Sequence, residues 1–461
     1  MSSSSERLTV LDELFLHLEG PNTHMHVGCL ATFEGPPPDH DETLDAVGAR
    51  LPLVPRFRQK LAIVPYGLAR PSWVNDPHFN LGDHLRRTAL PAPGGASELK
   101  HLTARIMSQQ LDRTKPLWEM WLVEGLADGR FAIISKTHHC VLDGVSGADI
   151  ISVMMDPGRE PQSFPADVWE PGPEPSADQL LADALAERLT APAEVMRSLQ
   201  SAVMDPGSLA GKILGGSRAL AAFVGGTLDF APPSSLNVPI GRHRVFDTVL
   251  ADLDAFKRVK NSLGGTVNDA VLSVVAGGLR HLLGSRGESV EALELRAMVP
   301  VSVRAGGSPT TSGNRLAALW APLPLWEQDP ERRFYLVRDR MRKIKASGQV
   351  VGAQLLRSIG EYAPSTVLAQ ASRLVARQRA YNLVITNVPG PQIPLYMMGR
   401  QMQEVYPVLP LSDNTTLGVA LLSYNGTVGF GLLGDHDTAT DLGVLAEGVE
   451  KSIAELTAEV A

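Results

Sequence analysis

The chain alternates between two spacings of its hydrophobic positions. Apolar residues that recur every three or four positions indicate helices with one buried face. Such stretches are 8–18, 98–111, 178–204, 253–263, 270–283, 331–345 and 440–460. Alternating or continuous apolar runs between turn residues indicate strands. Such runs are 24–33, 121–126, 131–135, 244–252, 295–303, 314–324, 381–387, 417–424 and 427–433. The pattern therefore predicts strands and helices mixed along the chain.

Two of the predicted helices begin at residues suited to capping. Ser176 precedes Gln179 at the spacing of a capping box. Thr266 is expected to cap a helix whose first turn holds Asn268 and Asp269. A carboxylate is favoured at the positive end of a helix whatever its role. A plain helix start therefore explains this Asn-Asp pair without any catalytic function.

One predicted strand-to-helix turn carries the densest chemistry in the sequence. It follows the apolar run 131–136 and contains His138, His139, Asp143 and Gly144. A neutral imidazole can take a proton from a hydroxyl near neutral pH, so one histidine suffices as a base. The second histidine and the carboxylate would then fix the tautomer and the backbone, and the glycine permits a tight turn. The turn is therefore the candidate site.

Two other interpretations of this turn stay open. A histidine pair with a carboxylate also suits a metal, but a stable site needs further ligands, and Cys140 is the one other candidate within the turn. Buried histidines are also commonly just hydrogen-bonded parts of a core. We expect no metal at this position.

Several polar residues elsewhere fit ordinary structural roles. His24 and His26 alternate along one predicted strand and are expected to be plain strand residues, because a metal site there would need more ligands. His84 is expected on a solvated surface. Arg333 is expected on the basic outer face of the helix 331–345.

A dinucleotide-binding pattern, G-x-G-x-x-G, occurs at 429–434. That motif functions at the start of a helix, whereas the residues that follow it here are turn-like and polar. Asn425-Gly426, just before it, is typical of a hairpin turn. We therefore expect a hairpin strand at this position and no nucleotide.

Length and composition limit the possible classes. A chain of 461 residues exceeds the usual size of one hydrophobic core, so two domains are expected. The net charge of -8 argues against a general nucleic-acid binder, which needs an excess of basic side chains. Two cysteines are too few for a disulfide framework and fit a reducing cytoplasm. We expect no secretory signal, and no membrane span either, because charges and glycines interrupt the apolar segment 209–230.

Proline and glycine are dense between residues 156 and 175, which predicts a linker. The expected division is an N-terminal lobe at 1–160, a Pro/Gly-rich and helical linker at 161–236, and a C-terminal lobe at 237–461. The two histidines then belong to the first lobe and the Asn-Asp pair to the second.

Three motifs and two longer segments of the chain resemble one enzyme family. Residues 138–144, His-His-Cys-Val-Leu-Asp-Gly, resemble the HHxxxDG signature of the CoA-dependent acyltransferase superfamily. Residues 116–118 resemble the PLW motif, and residues 268–269 the ND motif, of bacterial wax ester synthase/diacylglycerol acyltransferases. Residues 298–304 and 386–391 also resemble segments of that family. The motifs occur in the family's order, and the resemblance covers nearly the whole chain.

The resemblance implies an α/β (α+β) fold of two chloramphenicol-acetyltransferase-like lobes, each a mixed β-sheet with helices, with a tunnel between them. It implies an O-acyltransferase that moves a long-chain acyl group from acyl-CoA to diacylglycerol or to a fatty alcohol. Acyl-CoA is then a co-substrate, and no permanently bound cofactor and no nucleic-acid partner is expected. Because both substrates are greasy, we expect a cytoplasmic protein at the inner membrane face or at lipid droplets, attached peripherally.

The resemblance also implies roles for individual residues. His139 is expected to be the general base, acting without an acyl-enzyme, and the chain indeed has no G-x-S-x-G nucleophile motif. The residues expected to support it are His138, Asp143 and Gly144 in the first lobe and Asn268 and Asp269 in the second. Apart from the resemblance, Arg304 at the end of the predicted strand 295–303 could pair with a carboxylate of the motif across the lobes, but a solvated arginine is the favoured interpretation.

The site that binds coenzyme A is not evident from the sequence. Arg340 and Lys343, on the basic helix 331–345, are candidates for contacts with its phosphates, although a solvated helix face explains them equally well. Two other functions remain open, a condensation-type acyltransferase of the same superfamily and a catalytically inactive lipid-binding protein of droplets. The intact histidine motif argues against the second, because a binder needs no base.

Overall fold

The structure is a computed structural model that describes residues 6–142, 153–165, 169–186, 231–302, 316–346 and 380–460. Its strands are β1 (Glu6–Arg7), β2 (His26–Phe33), β3 (Gln59–Ala62), β4 (Ser72–Asn75), β5 (Leu85–Ala89), β6 (Trp118–Glu124), β7 (Phe131–His138), β8 (Arg244–Asp252), β9 (Glu294–Ser302), β10 (Leu316–Pro324), β11 (Leu383–Pro389), β12 (Tyr396–Met397), β13 (Arg400–Val408), β14 (Leu417–Tyr424) and β15 (Thr427–Asp435). Its helices are α1 (Val10–Leu18), α2 (His40–Gly48), α3 (Leu81–His84), α4 (Ala96–Met107), α5 (Leu253–Leu263), α6 (Val267–Ser285), α7 (Pro330–Ala346) and α8 (Leu442–Ala458). Residues 177–186 are also helical, and short 3-10 turns include His139–Leu142.

Two six-stranded sheets form the centres of the two lobes. The strand order is β12-β13-β2-β7-β6-β5 in the first sheet and β10-β9-β11-β14-β15-β8 in the second. Each sheet is mixed, because β5 runs parallel to β6 in the first, and β11 runs parallel to β9 and β14 in the second. The predicted architecture of two mixed sheets with helices is therefore confirmed.

The second lobe is built around α6. This helix packs against α5, α7, α8 and β10, and most of its residues are buried. A helix that is apolar on nearly all sides is stable only when other elements surround it. At Gly278 the two helices α6 and α8 approach so closely that an added Cβ would lie 2.6 Å from Val449 Cγ2.

In the first lobe, β7 lies between β2 and β6 and ends at the histidine motif. One face of the sheet packs on α4, and Ile134 belongs to that core. The other face carries stacked aromatic side chains, with the rings of Phe33 and Phe131 5.1 Å apart. Because both faces of β7 are packed, the position of its last residues is fixed.

The strand β13 joins the two lobes. It lies in the C-terminal part of the chain, yet it pairs antiparallel with β2 in the first sheet. It also packs across β14 and β15 of the second sheet. An added Cβ at Gly429 or Gly431 would overlap the carbonyl oxygens of Val405 and Pro407. Glycine at these two positions therefore lets β13 pass close over β15.

Many elements lie where the hydrophobic pattern predicts them. The predicted strand 244–252 and helix 253–263 match β8 and α5 residue for residue. The G-x-G-x-x-G pattern lies within β15, after a hairpin turn in which Asn425 and Gly426 have φ values of 42° and 84°. The prediction of a hairpin strand there is confirmed.

Two predictions about polar side chains are wrong. His84 is buried, with its ring stacked on Trp118 and its Nδ1 donating to the Trp118 carbonyl at 2.8 Å. Arg333 is also buried and donates to the carbonyl of Ser273 at 3.1 Å and to Ser452 Oγ at 3.2 Å. In both cases the side chain faces an element that is distant in sequence, which local polarity does not reveal.

The predicted lobe boundaries, 1–160, 161–236 and 237–461, stay predictions. The crossing of β13 into the first sheet is a feature that this division did not include. Asp143, Gly144 and Arg304 lie outside the described residues, as does most of the predicted helix 178–204. Among the helices that the structure describes, none combines the length and the apolar character needed to cross a bilayer.

Candidate active site

Two backbone hydrogen bonds fix the histidine motif at the end of β7. The His138 N–H donates to the carbonyl of Leu117 at 2.9 Å, and the His139 N–H donates to the carbonyl of Met25 at 2.8 Å. Leu117 belongs to the predicted PLW segment, and the neighbouring Trp118 donates from its indole to the carbonyl of Phe57 at 2.8 Å. The PLW segment therefore has the structural role expected for it.

His139 is the more accessible of the two histidines. It is partly exposed, and its ring packs on Phe15 of α1 with the ring centroids 4.0 Å apart. Burial, helped by repulsion from His138, lowers the pKa of His139 to about 4. The imidazole is therefore neutral at physiological pH, which is the form that can accept a proton.

His138 is fully buried, and a hydrogen bond reaches one of its two ring nitrogens. Its Nδ1 accepts a hydrogen bond from the Cys140 N–H at 3.2 Å. That Nε2 lies 3.6 Å from Glu19 Oε2. Burial raises the pKa of the Cys140 thiol well above its usual value, so the thiol stays protonated beside the ring. Burial and this hydrogen bond therefore fix the position of the His138 ring.

Glu19 lies between two histidines and an arginine. Its Oε1 is 3.3 Å from His26 Nε2, and Arg113 Nε donates to its Oε2 at 2.8 Å. Burial alone would raise the pKa of Glu19, but the contacts with His138, His26 and Arg113 lower it well below the usual value. Burial lowers the pKa of His26 to about 4 despite the nearby carboxylate. A buried, ionised carboxylate therefore faces the locked histidine.

A buried lysine lies on the same face of β7 as His138, two residues before it. Lys136 is fully buried, and its Nζ donates to the carbonyls of Ile106 and Gln109 at 3.2 and 3.1 Å. It also forms an ion pair with Glu119 at 3.3 Å. Burial lowers the pKa of Lys136, and these partners hold its ammonium group beneath the motif.

Sequence reasoning missed Glu19, Arg113 and the special position of His26. The pairing of β2 with β7 places His26 directly opposite His138. The prediction that His26 is an ordinary strand residue places it correctly in β2, but it did not include the contact of His26 with Glu19. The sequence indicated only that His26 lies on a strand. Which residue of the neighbouring strand it faces, and where the segment after α1 packs, depend on contacts between distant parts of the chain, which a local pattern does not show.

The Asn-Asp pair of the second lobe lies at the start of α6. Asp269 Oδ2 accepts hydrogen bonds from the N–H and the hydroxyl of Thr266, both at 2.8 Å, so it completes the predicted cap. Asn268 is partly buried. Within the described ranges, no hydrogen bond or ion pair joins either residue to His138 or His139.

The two candidate contacts for coenzyme A lie on α7. Arg340 forms an ion pair with Glu294 at 2.5 Å, and Lys343 is exposed. Within the part of the chain that the structure describes, no group of three or more His, Cys, Asp or Glu side chains could hold a metal ion.

The chain matches two family models in sequence. Residues 8–271 match the wax ester synthase/diacylglycerol acyltransferase catalytic domain, and residues 312–457 match the WS/DGAT C-terminal domain. The chain belongs to the wax ester synthase/diacylglycerol acyltransferase family. It is therefore a member of a family of acyltransferase enzymes, as the motifs predict.

Relatives of this wax ester synthase/diacylglycerol acyltransferase family protein are named as enzymes of the same kind. A probable diacylglycerol O-acyltransferase of Mycobacterium tuberculosis H37Rv is 35% identical over 458 residues, which is 98% of this chain and 96% of the relative. Another protein of the same strain, also named as a diacylglycerol O-acyltransferase, is 32% identical over 471 residues, 98% of this chain and 90% of the relative.

Solved structures show the same fold. The wax ester synthase/diacylglycerol acyltransferase from Marinobacter aquaeolei VT8 superposes with a TM-score of 0.68 at 29% identity, over 98% of this chain and 99% of that one. The first condensation domain of the calcium-dependent antibiotic synthetase superposes with a TM-score of 0.59 at 17% identity, over 100% and 98%. The second likeness concerns the fold alone.

Proposed function

We propose that this protein transfers a long-chain acyl group from acyl-CoA to the hydroxyl of diacylglycerol or of a fatty alcohol. The family and the names of the relatives support the reaction class. The observation that carries the mechanism is the state of His139, which is neutral, partly exposed and fixed at the end of β7. A neutral imidazole at the edge of a packed lobe is suited to take a proton from an incoming hydroxyl.

The proposed reaction is a direct transfer. The acceptor oxygen attacks the thioester carbonyl while the imidazole of His139 takes the hydroxyl proton. The carbon–sulfur bond then breaks, the acyl group stays on the acceptor as an ester, and the thiolate of coenzyme A takes the proton back from the imidazolium. No acyl-enzyme is formed, and the base returns to its neutral form. A low pKa favours the return of the proton, because a thiolate is much the stronger base.

In this proposal the other motif residues support the base. His138 and Glu19 support the turn from the interior of the lobe, where His138 Nε2 lies 3.6 Å from Glu19 Oε2. Asp143 and Gly144 are expected to support the base, as the family motif implies. Asn268 polarises or closes the site from the second lobe. Asp269 acts through the helix start that it caps.

The direct experiment measures thiol release from palmitoyl-CoA with diacylglycerol or hexadecanol as acceptor. We expect acceptor-dependent release, and we expect His139→Ala to lower kcat by about 100-fold or more, since general-base catalysis contributes on that order. The matched control is His78→Ala, because His78 is exposed. The relative rates rank the two acceptors. Equal rates in wild type and His139→Ala would remove the proposed base, and no release from any acyl-CoA would favour a lipid-binding protein.

The proposal includes a cytoplasmic protein that attaches peripherally to the inner membrane face or to lipid droplets. Diacylglycerol, fatty alcohols and their esters partition into such surfaces, so an enzyme that acts on them must reach the interface. Flotation of the purified protein with diacylglycerol-containing vesicles checks this attachment, and protein that stays entirely in the aqueous fraction contradicts it.

A further inference from the structure

The most exposed large apolar side chains that the structure describes lie at one turn of the first lobe. β3 and β4 pair antiparallel, and the connection between them begins with residues 63–68, Ile-Val-Pro-Tyr-Gly-Leu. We call these six residues the hairpin tip. Tyr66 is 87% exposed and Ile63 is 63% exposed. Single exposed apolar residues are normal on a protein surface, but grouped ones indicate a surface that binds something.

The hairpin tip is held in its shape by the residues around it. Val64 is buried between the two exposed residues, and its carbonyl accepts a hydrogen bond from the Gly67 N–H at 3.2 Å. Beyond the tip, Arg70 Nη1 donates to the carbonyl of Leu8 at 3.1 Å. Arg7 Nη1 in turn donates to the carbonyl of Arg70 at 2.9 Å. The exposed side chains are therefore presented by an ordered turn.

Tyr66 has a backbone conformation that tyrosine rarely adopts. Its φ of 60° and ψ of 11° lie in the left-handed region, which is strained for a side chain of this size. The strained position brings no buried packing within the protein, because the Tyr66 side chain is almost fully exposed. Strained residues of this kind are typical of sites that contact a ligand or partner.

The hairpin tip is connected to the histidine motif through the PLW segment. The ring of Phe57 stacks on Trp118 with the centroids 4.5 Å apart. Leu117, the residue before Trp118, accepts the hydrogen bond from the His138 N–H. Phe57 precedes Ile63 by six residues, which span at most about 20 Å of extended chain. Whatever the hairpin tip contacts therefore lies close to the lobe that carries the motif.

We propose that the hairpin tip inserts into the lipid surface that holds the acyl acceptor. Burial of an apolar side chain in lipid is favourable, and tyrosine suits the boundary between acyl chains and headgroups. No Asp or Glu occurs between residues 46 and 75, so no acidic side chain of that stretch repels anionic headgroups. This inference rests on the proposed function, because diacylglycerol and fatty alcohols reside in lipid.

A second protein fits the hairpin tip less well than a lipid surface does. Two side chains such as these bury roughly 400 Å² at most. A stable protein interface buries about 800 Å² on each partner. Insertion into lipid requires no complementary surface, because its strength follows the apolar area that is buried.

Insertion is tested first with a fluorescent label and without turnover. Both native cysteines, Cys29 and Cys140, are buried, so the environment-sensitive fluorophore NBD attaches to an introduced cysteine. Ile63→Cys carries the label at the hairpin tip. The matched control, Leu250→Cys, carries it at a leucine of the second lobe that is 42% exposed. When vesicles of phosphatidylcholine and dioleoylglycerol are added, we expect the emission to shift to shorter wavelength for Ile63→Cys only.

Three results of this experiment would overturn the proposal. No shift for Ile63→Cys would mean that the hairpin tip stays in water. Equal shifts for Ile63→Cys and Leu250→Cys would mean that the protein adsorbs without a preferred surface. A shift that occurs without vesicles and grows with protein concentration would mean that the hairpin tip contacts a second copy of the chain.

A vesicle assay measures how much the hairpin tip contributes. The double variant Ile63→Ser/Tyr66→Ser should partition onto the same vesicles about tenfold or more weakly than wild type, the usual effect of losing apolar side chains that become buried on binding. The matched control, Leu250→Ser, should partition as wild type does. Wild-type partition of the double variant would contradict insertion through this turn.

Kinetics separates this inference from the proposed function. With palmitoyl-CoA as donor, the double variant should lower kcat/KM for dioleoylglycerol in vesicles about tenfold. It should leave transfer to hexanol dissolved in buffer at the wild-type rate. If wild type uses both acceptors and the double variant matches it with both, the insertion fails and the function stands. If wild type releases no thiol, the function fails, and the label alone decides whether the hairpin tip enters lipid.

Discussion

Two adjacent histidines have opposite surroundings because one ends a strand and the other begins a turn. His138, in β7, points to the same face as Lys136, where the buried Glu19 holds it. His139 follows the strand end and packs instead on Phe15. In the proposed mechanism these two surroundings correspond to two roles, with His138 fixing the turn and His139 acting as the base.

The pKa of His139 leads to a prediction about the pH dependence of catalysis. Because the pKa is lowered from its usual value of 6.5 to about 4, the base stays neutral as the pH falls through 6.5. We therefore expect kcat/KM for acyl transfer to stay flat from pH 8 to about 5.5 and to fall only below about pH 5. A profile that halves near pH 6.5 would contradict the assigned environment.

The pH profile of kcat/KM needs a stability control, because the protein also loses stability as the pH falls. The folded-state pKa values of His26 and His139 lie below the ordinary histidine value, so the unfolded chain binds more protons between pH 4 and pH 6.5. The free energy of unfolding therefore falls as the pH is lowered through this range. Tryptophan fluorescence at each pH identifies the points at which the protein is still folded, and only these enter the profile.

At the scale of elements, local signals predicted most of the structure. The Ser176–Gln179 capping box forms as expected, with Ser176 Oγ accepting from the Gln179 N–H at 3.2 Å and Gln179 Oε1 accepting from the Ser176 N–H at 2.7 Å. The β8–α5 unit appears at its predicted residues. Caps, turns and periodicity lie within a few residues of chain, so the sequence alone is sufficient for them.

The helix start at α6 allows a test of which residue of the Asn268-Asp269 pair stabilises the fold. Asp269→Ala removes the acceptor of two hydrogen bonds from Thr266, and we expect the free energy of unfolding to fall by about 1–2 kcal/mol. The matched variant is Asn268→Ala, which should change that free energy by less than about 0.5 kcal/mol. Urea unfolding measures both. Equal stability losses for the two variants would contradict the division of roles within this pair.

The parts of the site that the sequence did not predict depend on contacts between distant elements. The motif located His139 and the turn. His26 lies opposite His138 only through the register of β2 and β7, and Glu19, which also contacts Arg113, reaches His138 only through the packing of the segment after α1. His84 and Arg333 are buried for the same reason. Register and long-range packing are set by the whole fold, so no local pattern signals them.

At the scale of the whole molecule, β13 ties the two sheets into one body. It pairs with β2 in the first sheet, and its backbone carbonyls lie directly over the glycines of β15 in the second. Only β2 lies between β13 and β7 in the first sheet, so β13 links the second lobe to the strand that carries the histidine motif through one intervening strand. The lobe division drawn from composition omits this crossing, because a linker rich in proline and glycine shows where a chain leaves a lobe and not where it returns.

Because β13 crosses so close to β15, we expect the stability of the protein to be sensitive to one added methyl group at Gly431. At Gly431 an added Cβ would overlap the Pro407 carbonyl, which is backbone and cannot rotate away. Gly431→Ala must therefore separate β13 from β15, and we expect the free energy of unfolding to fall by about 1–3 kcal/mol. The control is Gly284→Ala, because that glycine is in α6 with open space around it, and alanine there should stabilise the protein by about 0.5–1 kcal/mol. Urea unfolding of the two variants should thus give shifts of opposite sign. A Gly431→Ala protein as stable as wild type would show that the lobes are not held together through this contact.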